Sequence, residues 1–311
     1  MRLLRIGPIR LNQMSTERRN PRSVDIDLYP TERILKIINT EDASVANIVG
    51  VAIPELVKVV DLAVEAIKSG GRVIYAGAGT SGRLALLDAA ECPPTFGVSP
   101  ETIQAIFAGG AKAFVQAKED AEDDTEQAIT DLKAKKVSNL DIVVGLAASG
   151  NTRYTLSALE FARSRGAKTV AIVSVPGSPM SKLAEVTVNL PVGPEVITGS
   201  TRMKSGTAQK MALNMISTAT MVRLGMTYSN WMINVAMTNQ KLRDRGVQVL
   251  REILGLHDDE LKELVENSGG DLKVAVVMGA LSCDRKHAEK LLSENGGNLR
   301  RVVAHLGTGR E

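Results

Sequence analysis

Short runs of apolar residues recur through the first two thirds of the chain, and segments with a helical repeat of apolar positions separate most of them. The runs are nearly continuous rather than alternating, which is typical of strands buried on both faces of a parallel sheet. The predicted strands are Arg72–Ala76, Thr102–Ala108, Asp141–Ala147, Thr169–Val173 and Val186–Leu190, and the predicted helices between them are Arg83–Ala90, Asp123–Lys135 and Thr152–Arg165. The pattern therefore predicts an α/β fold whose five-stranded parallel sheet carries helices on both faces.

Helical patterns also flank this region. Apolar positions recur through Glu41–Ser69, where Pro54 divides the run into two helices, and two long helices are predicted over residues 202–224 and 231–254. After His257, short amphipathic segments separated by Asn and Gly predict a small all-helical C-terminal module. We expect three parts, namely an N-terminal arm over residues 1–30, a central domain with its N-terminal helices over 31–235 and the helical module over 236–311.

The beginning of the chain is polar and rich in turn residues. The segment Ser15–Pro30 has no apolar repeat, so we expect a surface arm, and an arm that reaches a neighbouring subunit is the alternative. The basic stretch before it lacks the long apolar core and the small-residue cleavage site of a signal peptide. The residues before Met14 are expected to be a poorly ordered extension, or the product of a translation start upstream of Met14.

Composition argues against several partners and locations. The chain has 311 residues and a formal net charge of +3, and its basic residues are scattered without a polybasic tract, which argues against nucleic-acid binding. No apolar run reaches the roughly 18 residues of a membrane-spanning helix, so no membrane span is predicted. The two cysteines, Cys92 and Cys283, lie far apart and fit no disulfide or metal framework, which favours a reducing cytoplasm.

Histidine is absent from the α/β region. The three histidines, His257, His287 and His305, all lie near the C-terminus. Acid–base chemistry in the α/β region must therefore use carboxylates, lysine or tyrosine. The same inventory excludes a histidine-containing catalytic triad or a histidine-ligated metal there.

The first predicted strand runs directly into a glycine turn, Gly77–Gly82, which matches G-x-G-x-x-G and precedes a helix. Such a unit points backbone N–H groups at a bound anion, usually a phosphate. A dinucleotide site would also need an acidic residue at the end of the second strand, but that strand ends in Ala108–Gly110, so NAD is discounted. The hydroxyl groups of Thr80 and Ser81, beside Gly79, favour a phosphate monoester. An ordinary tight turn is the alternative.

Two further turns carry hydroxyl groups. The segment Ser149–Thr152 follows the third strand, and Gly199–Lys204 opens the next long helix. Helix capping is the alternative explanation for both. Because the carboxyl ends of parallel strands share one edge of the sheet, we expect a shared phosphate site there. The predicted phosphate-binding residues are Gly79, Thr80, Ser81, Ser149, Gly150, Asn151, Thr152, Ser200, Thr201 and Lys204.

Carboxylates follow the first two strands. Glu91 lies at the end of the predicted helix Arg83–Ala90, which we expect Pro93-Pro94 to terminate, and the helix dipole disfavours a carboxylate there. That position favours a functional role for Glu91. The segment Lys118–Asp124 contains five acids, most of which are expected to be solvated at the start of the next helix. At least one is expected at the ligand edge, so that two carboxylates can divide acid and base roles.

Together these motifs resemble the sugar isomerase (SIS) fold, a flavodoxin-like fold, and within it the N-acetylmuramic acid 6-phosphate etherase family. The resemblance covers all but the first dozen residues. Its specific motifs are ECPPT at Glu91–Thr95 and GSTRMKSGTAQK at Gly199–Lys210, whereas GAGTSG alone would be weak. Supporting matches are TERRNP near Thr16, DAAECPPTFG at Asp88–Gly97, AGG at Ala108–Gly110, AED at Ala121–Asp123, GLAASGNT at Gly145–Thr152 and NGGNLR at Asn295–Arg300.

The resemblance implies cleavage of the lactyl ether at carbon 3 of N-acetylmuramic acid 6-phosphate, a reaction of cell-wall amino sugar recycling. It implies ring opening, removal of the carbon 2 proton, loss of D-lactate and addition of water, which gives N-acetylglucosamine 6-phosphate. By motif, Glu91 is the proton donor to the departing lactate, and Glu122 is the base for the carbon 2 proton or the added water. The resemblance also implies a homodimer and a reaction without metal or cofactor. Apolar helices over residues 203–224 and 231–250 are candidates for the interface.

Two other functions stay open on the sequence. An aldose–ketose isomerase on the same fold would need a base near carbon 2 but not the ECPPT motif. A non-catalytic sugar-phosphate sensor such as the glucokinase regulatory protein has two SIS domains, and this chain has room for one. A transcriptional sensor would need an N-terminal DNA-binding domain, which the short polar stretch before Ile34 cannot form.

Overall fold

The computed structural model describes residues 15–115, 119–234 and 240–304. The chain divides into two compact units. The first comprises the residues up to 217 except 91–100, and the second comprises 91–100 and the residues from 218 onward. The expectations for residues 1–13, and for part of the predicted helix over 231–254, lie outside the described residues. The division at residues 30 and 235 stays a prediction.

The first unit is built on a five-stranded parallel sheet with the strand order β2-β1-β3-β4-β5. Every residue of β1 and β3 is buried, as their near-continuous apolar runs predict. The prediction of an α/β fold with five parallel strands is therefore confirmed. The strands are β1 (Val73–Gly77), β2 (Ile103–Phe107), β3 (Ile142–Leu146), β4 (Lys168–Val173) and β5 (Val186–Asn189).

Helices cover both faces of this sheet. Successive side chains of a strand point to opposite faces, so the contacts of β1 side chains show which helices cover each face of the sheet. Ile74 and Ala76 belong to a core cluster with residues of α7, whereas the Tyr75 hydroxyl donates to Asp88 of α4. The prediction of helices on both faces is confirmed. The helices are α1 (Thr31–Asp42), α2 (Val45–Val51), α3 (Ile53–Lys68), α4 (Gly79–Phe96), α5 (Gly110–Val115), α6 (Thr125–Ala134), α7 (Arg153–Ser164), α8 (Pro179–Leu183) and α9 (Lys204–Arg223).

The helices before β1 follow the predicted pattern. The predicted break in the run Glu41–Ser69 falls between α2 and α3. Pro54 occupies the first turn of α3. A backbone N–H in that turn has no intrahelical acceptor, so proline costs no hydrogen bond there. Within the described ranges, no single helix is long and apolar enough to cross a membrane, although the bent pair of residues 31–51 and 53–68 passes that test jointly.

The helix after the glycine turn is longer than predicted. α4 continues through Pro93 and Pro94 to Phe96, so the prediction that these prolines terminate it is wrong. Both prolines lie in the last turns, where few hydrogen bonds are lost, and Cys92 and Phe96 are buried on one face four residues apart. Gly97 then ends the helix with a φ of +64°, and its N–H donates to the Pro93 carbonyl.

The segment before α1 packs on its own chain. Asn20 Nδ2 donates to the Pro194 carbonyl at 3.2 Å, and Ser23 Oγ donates to the Val196 carbonyl at 2.7 Å. Thr16, Asn20 and Ser23 are buried. Most other residues of the segment are exposed, so it lies at the surface, where polar side chains hold it by donating to carbonyls of a loop that is distant in sequence. The N-terminal arm stays a prediction. Its short 3-10 turns are Ser15–Glu17, Pro21–Ser23 and Ile26–Leu28.

The second unit is mostly helical. Its core forms around α12, in which every residue from Leu272 to Met278 is buried, and α10, α11, α13 and α14 pack against this helix. The prediction of additional C-terminal helices is confirmed. The predicted helix over 231–254 is wrong at its start, because Trp231–Met232 pairs with Thr227–Tyr228 in a short hairpin. The elements are β6 (Thr227–Tyr228), β7 (Trp231–Met232), α10 (Gln240–Leu254), α11 (Asp258–Asn267), α12 (Leu272–Leu281), α13 (Arg285–Glu294) and α14 (Leu299–Val302).

An ion pair joins the amino ends of β1 and β3. Arg72 Nη2 lies 2.9 Å from Asp141 Oδ2, and the Asp141 side chain is 1% exposed. Burial acts to raise the pKa of Asp141, but hydrogen bonds from the Arg72 guanidinium and the Ser138 N–H outweigh it, so this pKa lies below its ordinary value. Asp141 therefore stabilises the fold in its charged form.

We predict that Asp141→Ala lowers the free energy of unfolding by about 3 kcal/mol, because it removes the charged partner of the Arg72 guanidinium and the acceptor of the Arg72 and Ser138 N–H groups. Since the folded-state pKa is lowered, the contribution is fully present above the unfolded-state pKa of about 4 and is lost as the pH falls through the folded-state value. Urea unfolding at neutral and at acid pH measures both effects. Glu185→Ala, which breaks the half-exposed pair with Lys168 beside β4, is the control and should cost less than about 1 kcal/mol. Equal losses in the two variants would contradict this prediction.

Candidate active site

The glycine turn after β1 is closely packed. β1 ends at Gly77, and α4 begins two residues later. A Cβ atom on Gly77 would lie 2.9 Å from the backbone nitrogen of Gly82, and one on Gly82 would lie 2.3 Å from Cδ2 of Phe107. Only glycine fits at these two positions, so the predicted strand–turn–helix unit depends on them. Gly79 has a φ of +53° and open space beside its Cα, which lets a ligand approach the backbone there.

The first turn of α4 meets the beginning of α9. The Ser81 hydroxyl donates a hydrogen bond to Gln209 Oε1 at 2.8 Å. A Cβ atom on Gly206 would lie 3.4 Å from Thr80 Cγ2 and 3.5 Å from the Thr201 carbonyl oxygen. The first and third predicted turns are therefore neighbours, as a shared phosphate site requires.

The second predicted turn lies at the same edge of the sheet, because it follows β3, the neighbour of β1. Ser149 Oγ accepts a hydrogen bond from the Asn151 N–H at 3.2 Å. Gly150, with a φ of +63°, lies so close to Ser178 that a Cβ atom would be 2.1 Å from its Oγ. Thr152 precedes α7 but makes no side-chain capping bond, so helix capping does not explain its hydroxyl.

Lys204 is held inside the protein. Its side chain is 4% exposed, and its Nζ pairs with Glu41 Oε2 at 2.5 Å. Arg22 contacts the other Glu41 oxygen at 2.9 Å. Burial acts to raise the pKa of Glu41, but hydrogen bonds from Lys204 and Asn20 outweigh it and lower this pKa. The position of Lys204 therefore supports a structural role better than the predicted direct contact with phosphate.

A buried carboxylate caps α9. Glu195 is fully buried and accepts hydrogen bonds from the N–H groups of Lys204 at 3.0 Å and Ser205 at 2.9 Å. These are groups that a helix start would otherwise offer to a bound anion. The chain's own carboxylate occupies these two N–H groups, so they are not free to bind a phosphate.

A second buried carboxylate, Asp88, anchors α4. It accepts hydrogen bonds from the Tyr75 hydroxyl at 3.1 Å, Asn214 Nδ2 at 2.8 Å and Ser217 Oγ at 3.0 Å. Burial raises the pKa of Asp88, and these hydrogen bonds oppose the rise. Sequence reasoning missed Asp88, although an acid inside the apolar part of a predicted helix was an available signal. Glu195 and Gln209 were also missed, and only the fold reveals their partners.

The two predicted catalytic carboxylates are exposed and accessible. Glu91 lies on α4 within the second unit, and Glu122 lies in a short 3-10 helix, Glu119–Asp123, within the first. Nearby, Asp124 caps α6 by accepting a hydrogen bond from the Gln127 N–H at 2.9 Å. A role at the start of the next helix was expected for most acids of this segment, and Asp124 has it.

Two family models match overlapping parts of the chain that include the parallel sheet. The model described as the glucokinase regulatory protein N-terminal SIS domain matches residues 55–163, and the SIS domain model matches residues 122–219. The first match includes the glycine turn and both predicted catalytic carboxylates. The second includes the turn after β3 and the beginning of α9.

Two relatives that match nearly the whole length of this chain have the same name. N-acetylmuramic acid 6-phosphate etherase from Geobacillus thermodenitrificans is 45% identical over 293 residues, which cover 94% of this chain and 99% of that protein. The protein of the same name from Colwellia psychrerythraea is 47% identical and covers 96% of each chain. The chain belongs to the N-acetylmuramic acid 6-phosphate etherase family. A solved phosphoheptose isomerase from Francisella tularensis is 18% identical to this etherase family member, with a TM-score of 0.46 over 60% of this chain and 97% of the other.

The candidate site of this etherase family member combines hydroxyl-bearing turns with nearby buried acids. Within the described ranges, no three or more His, Cys, Asp or Glu side chains form a group that could hold a metal ion. The phosphate-binding and catalytic assignments stay predictions. The structure brings Thr80, Ser81 and Thr201 together, places Ser149–Thr152 at the same sheet edge and commits Lys204 to Glu41.

We predict that Lys204→Met lowers the free energy of unfolding by about 3 kcal/mol, because it leaves the buried Glu41 carboxylate without its main partner. Lys204→Met combined with Glu41→Gln should recover most of that loss, since neither buried charge remains. Urea unfolding of the single and double variants measures both. Lys210→Met, exposed on the same helix, is the control and should change stability by less than about 0.5 kcal/mol.

A binding measurement distinguishes the structural role of Lys204 from a direct contact with the phosphate. The double variant should still bind N-acetylglucosamine 6-phosphate in a calorimetric titration, because the loop at Thr201 regains its support. A double variant with restored stability and no sugar-phosphate binding would show that Lys204 contacts the phosphate itself.

Proposed function

We propose that this protein cleaves the D-lactyl ether of N-acetylmuramic acid 6-phosphate and releases N-acetylglucosamine 6-phosphate and D-lactate. The observation that carries this conclusion is the 45% identity, over 94% of the chain, to a protein named for that activity. An aldose–ketose isomerase and a non-catalytic sugar-phosphate sensor are not favoured, because relatives that match nearly the whole length of this chain are named etherases. The reaction belongs to the recovery of cell-wall amino sugars.

The substrate phosphate is assigned to the hydroxyl-rich edge of the sheet. Thr80 and Thr201 both lie next to Gly206, and Ser81 lies in the same turn as Thr80. Each hydroxyl can donate one hydrogen bond to a phosphate oxygen, and the N–H groups at the start of α4 add further donors. The turn Ser149–Thr152 supplies additional hydroxyl and amide groups from the neighbouring strand.

The reaction then needs only an acid and a base. In the ring-opened substrate, the aldehyde makes the carbon 2 proton acidic, and a base removes it. The electron pair forms a double bond between carbons 2 and 3, the bond from carbon 3 to the ether oxygen breaks, and lactate leaves with a proton from the acid. Water then adds its oxygen to carbon 3 and a proton returns to carbon 2. We assign Glu91 as the acid and Glu122 as the base, each contributing about 10²–10⁴-fold.

We predict that Glu91→Gln and Glu122→Gln each lower the rate of D-lactate release by about 10²–10⁴-fold, because an amide keeps the size of the side chain but exchanges no proton. Both variants should still bind N-acetylglucosamine 6-phosphate. An enzyme-coupled lactate assay and a calorimetric titration measure the two properties separately.

Glu126→Gln is the matched control, since Glu126 is an exposed carboxylate in the first turn of α6, four residues after Glu122. Its turnover should equal that of the unchanged protein. A well-folded unchanged protein that releases no lactate would overturn the etherase function. Near-normal turnover in Glu91→Gln or Glu122→Gln would remove that residue from the mechanism.

We also propose a homodimer. Val51, Ile53 and Val57 are 80%, 45% and 51% exposed at the junction of α2 and α3, and Ile53 and Val57 share one face of α3. Exposed apolar groups of this kind are typical of contacts between proteins. The helix over 203–224 is a weaker candidate than expected, because apolar residues such as Leu213 and Ile216 are buried within the chain itself.

We predict that Val57→Asp converts the dimer into monomers, because it places a charge in an apolar contact. Sedimentation velocity at micromolar concentration measures the mass. Leu281→Asp is the control, since Leu281 is 41% exposed in the second unit and its variant should stay dimeric. A monomeric unchanged protein, or a dimeric Val57→Asp variant, would contradict the proposed interface.

A cytoplasmic location is proposed on the chemistry of the cysteines. Cys92 and Cys283 are both free thiols, and Cys92 is buried. Free thiols persist in a reducing compartment, whereas oxidising compartments favour disulfides.

A further inference from the structure

The hydrogen bond between Ser81 and Gln209 raises a question about where the Ser81 proton points. Ser81 Oγ donates to Gln209 Oε1 at 2.8 Å. Gln209 is 1% exposed, and its Nε2 is buried without a hydrogen-bond partner among the described residues. A buried N–H donor without a partner is costly, so this amide orientation is unfavourable for Gln209.

The same orientation conflicts with phosphate binding. A serine hydroxyl has one proton, and here that proton is directed to Gln209. The oxygens of an ionised phosphate accept hydrogen bonds and need donors. With its proton on Gln209, Ser81 offers a phosphate only lone pairs, which repel it.

One rotation resolves both problems. Turning the Gln209 amide about its last side-chain bond exchanges Oε1 and Nε2. Nε2 then donates to Ser81 Oγ, and the Ser81 proton becomes available to the phosphate. The rotated Oε1 needs a donor, and the hydroxyl group of Ser205, one turn earlier on the same face of α9, is suitable. Its Oγ is buried and has no partner among the described residues.

We propose that Gln209 is a positioning residue whose Nε2 donates a hydrogen bond to Ser81 Oγ, so that the Ser81 hydroxyl directs its proton to the phosphate of the substrate. This inference rests on the phosphate site of the proposed function. It adds a residue that touches no substrate atom and acts through Ser81.

A double-mutant cycle tests the proposal through binding of N-acetylglucosamine 6-phosphate, measured by calorimetry. Gln209→Glu supplies only acceptors, so it holds the Ser81 proton and also repels the phosphate. Ser81→Ala removes the proton, so in that background Gln209→Glu can act only through its charge. We expect Gln209→Glu to weaken binding by about tenfold more in the unchanged protein than in Ser81→Ala, the factor that one hydrogen bond to a charged group is worth. Equal factors in the two backgrounds would overturn the proposal.

A second measurement uses the unchanged sequence and does not depend on whether the variants fold. The side-chain amide signals of Gln209 in a ¹⁵N spectrum are identified by their loss in Gln209→Met, or by selective labelling. They should shift on addition of N-acetylglucosamine 6-phosphate or inorganic phosphate, but not on addition of N-acetylglucosamine. Signals that do not respond to either phosphate compound would overturn the proposal.

Gln104→Met is the matched control. Gln104 is 5% exposed on β2 of the same unit, and its Oε1 is also buried without a partner in the part of the chain that the structure describes. The variant should lose stability like Gln209→Met but retain unchanged binding. Because binding does not require turnover, a protein that shows the coupling but releases no D-lactate would refute the etherase function and leave the role of Gln209 standing. A protein that releases D-lactate but shows no coupling would support the etherase function and overturn the role of Gln209.

Discussion

The buried charges at the beginning of α9 are the interaction on which the rest of the first unit depends. Glu195 holds the N–H groups of Lys204 and Ser205, and the Lys204 amino group pairs with Glu41 on α1. Loss of one partner of such a pair leaves an uncompensated charge that costs about 3–5 kcal/mol, so these groups are stable only together. They join α1, the segment before it and the loop before α9 into one support, and that support fixes Thr201 beside the glycine turn.

Local signals in the sequence predicted the sheet and the glycine turn. The strands are nearly continuous apolar runs because both faces of a parallel sheet are covered, and that property is visible in each segment separately. Gly77 and Gly82 are needed because the backbone of the turn and Phe107 leave no space for a Cβ atom, and a glycine pattern after a strand indicates such a turn. The order of the strands then places the hydroxyl-bearing turns at one edge.

Long-range contacts account for what the sequence did not predict. Lys204 follows a hydroxyl-rich loop and looks like a phosphate ligand, but its partner Glu41 lies 163 positions away in the chain. The prolines of α4 indicate a helix end locally, whereas burial of Cys92 and Phe96 in the second unit favours continuing the helix. Gln209 and Asp88 lie within the GSTRMKSGTAQK and DAAECPPTFG motifs, but their contacts follow only from the hydroxyl and amide groups that the fold brings to them.

In the proposed mechanism, neutral hydroxyl and backbone groups hold the phosphate, and Glu91 and Glu122 transfer the protons. Elimination followed by addition of water places solvent atoms at defined carbons, which makes isotope incorporation the most direct measurement. N-acetylmuramic acid 6-phosphate is incubated with the protein in deuterated, ¹⁸O-enriched water, and both products are analysed by mass spectrometry. We predict deuterium at carbon 2 and ¹⁸O at carbon 3 of N-acetylglucosamine 6-phosphate, with no ¹⁸O in the ether oxygen of lactate. Products without deuterium at carbon 2, or with ¹⁸O in that lactate oxygen, would contradict this chemistry.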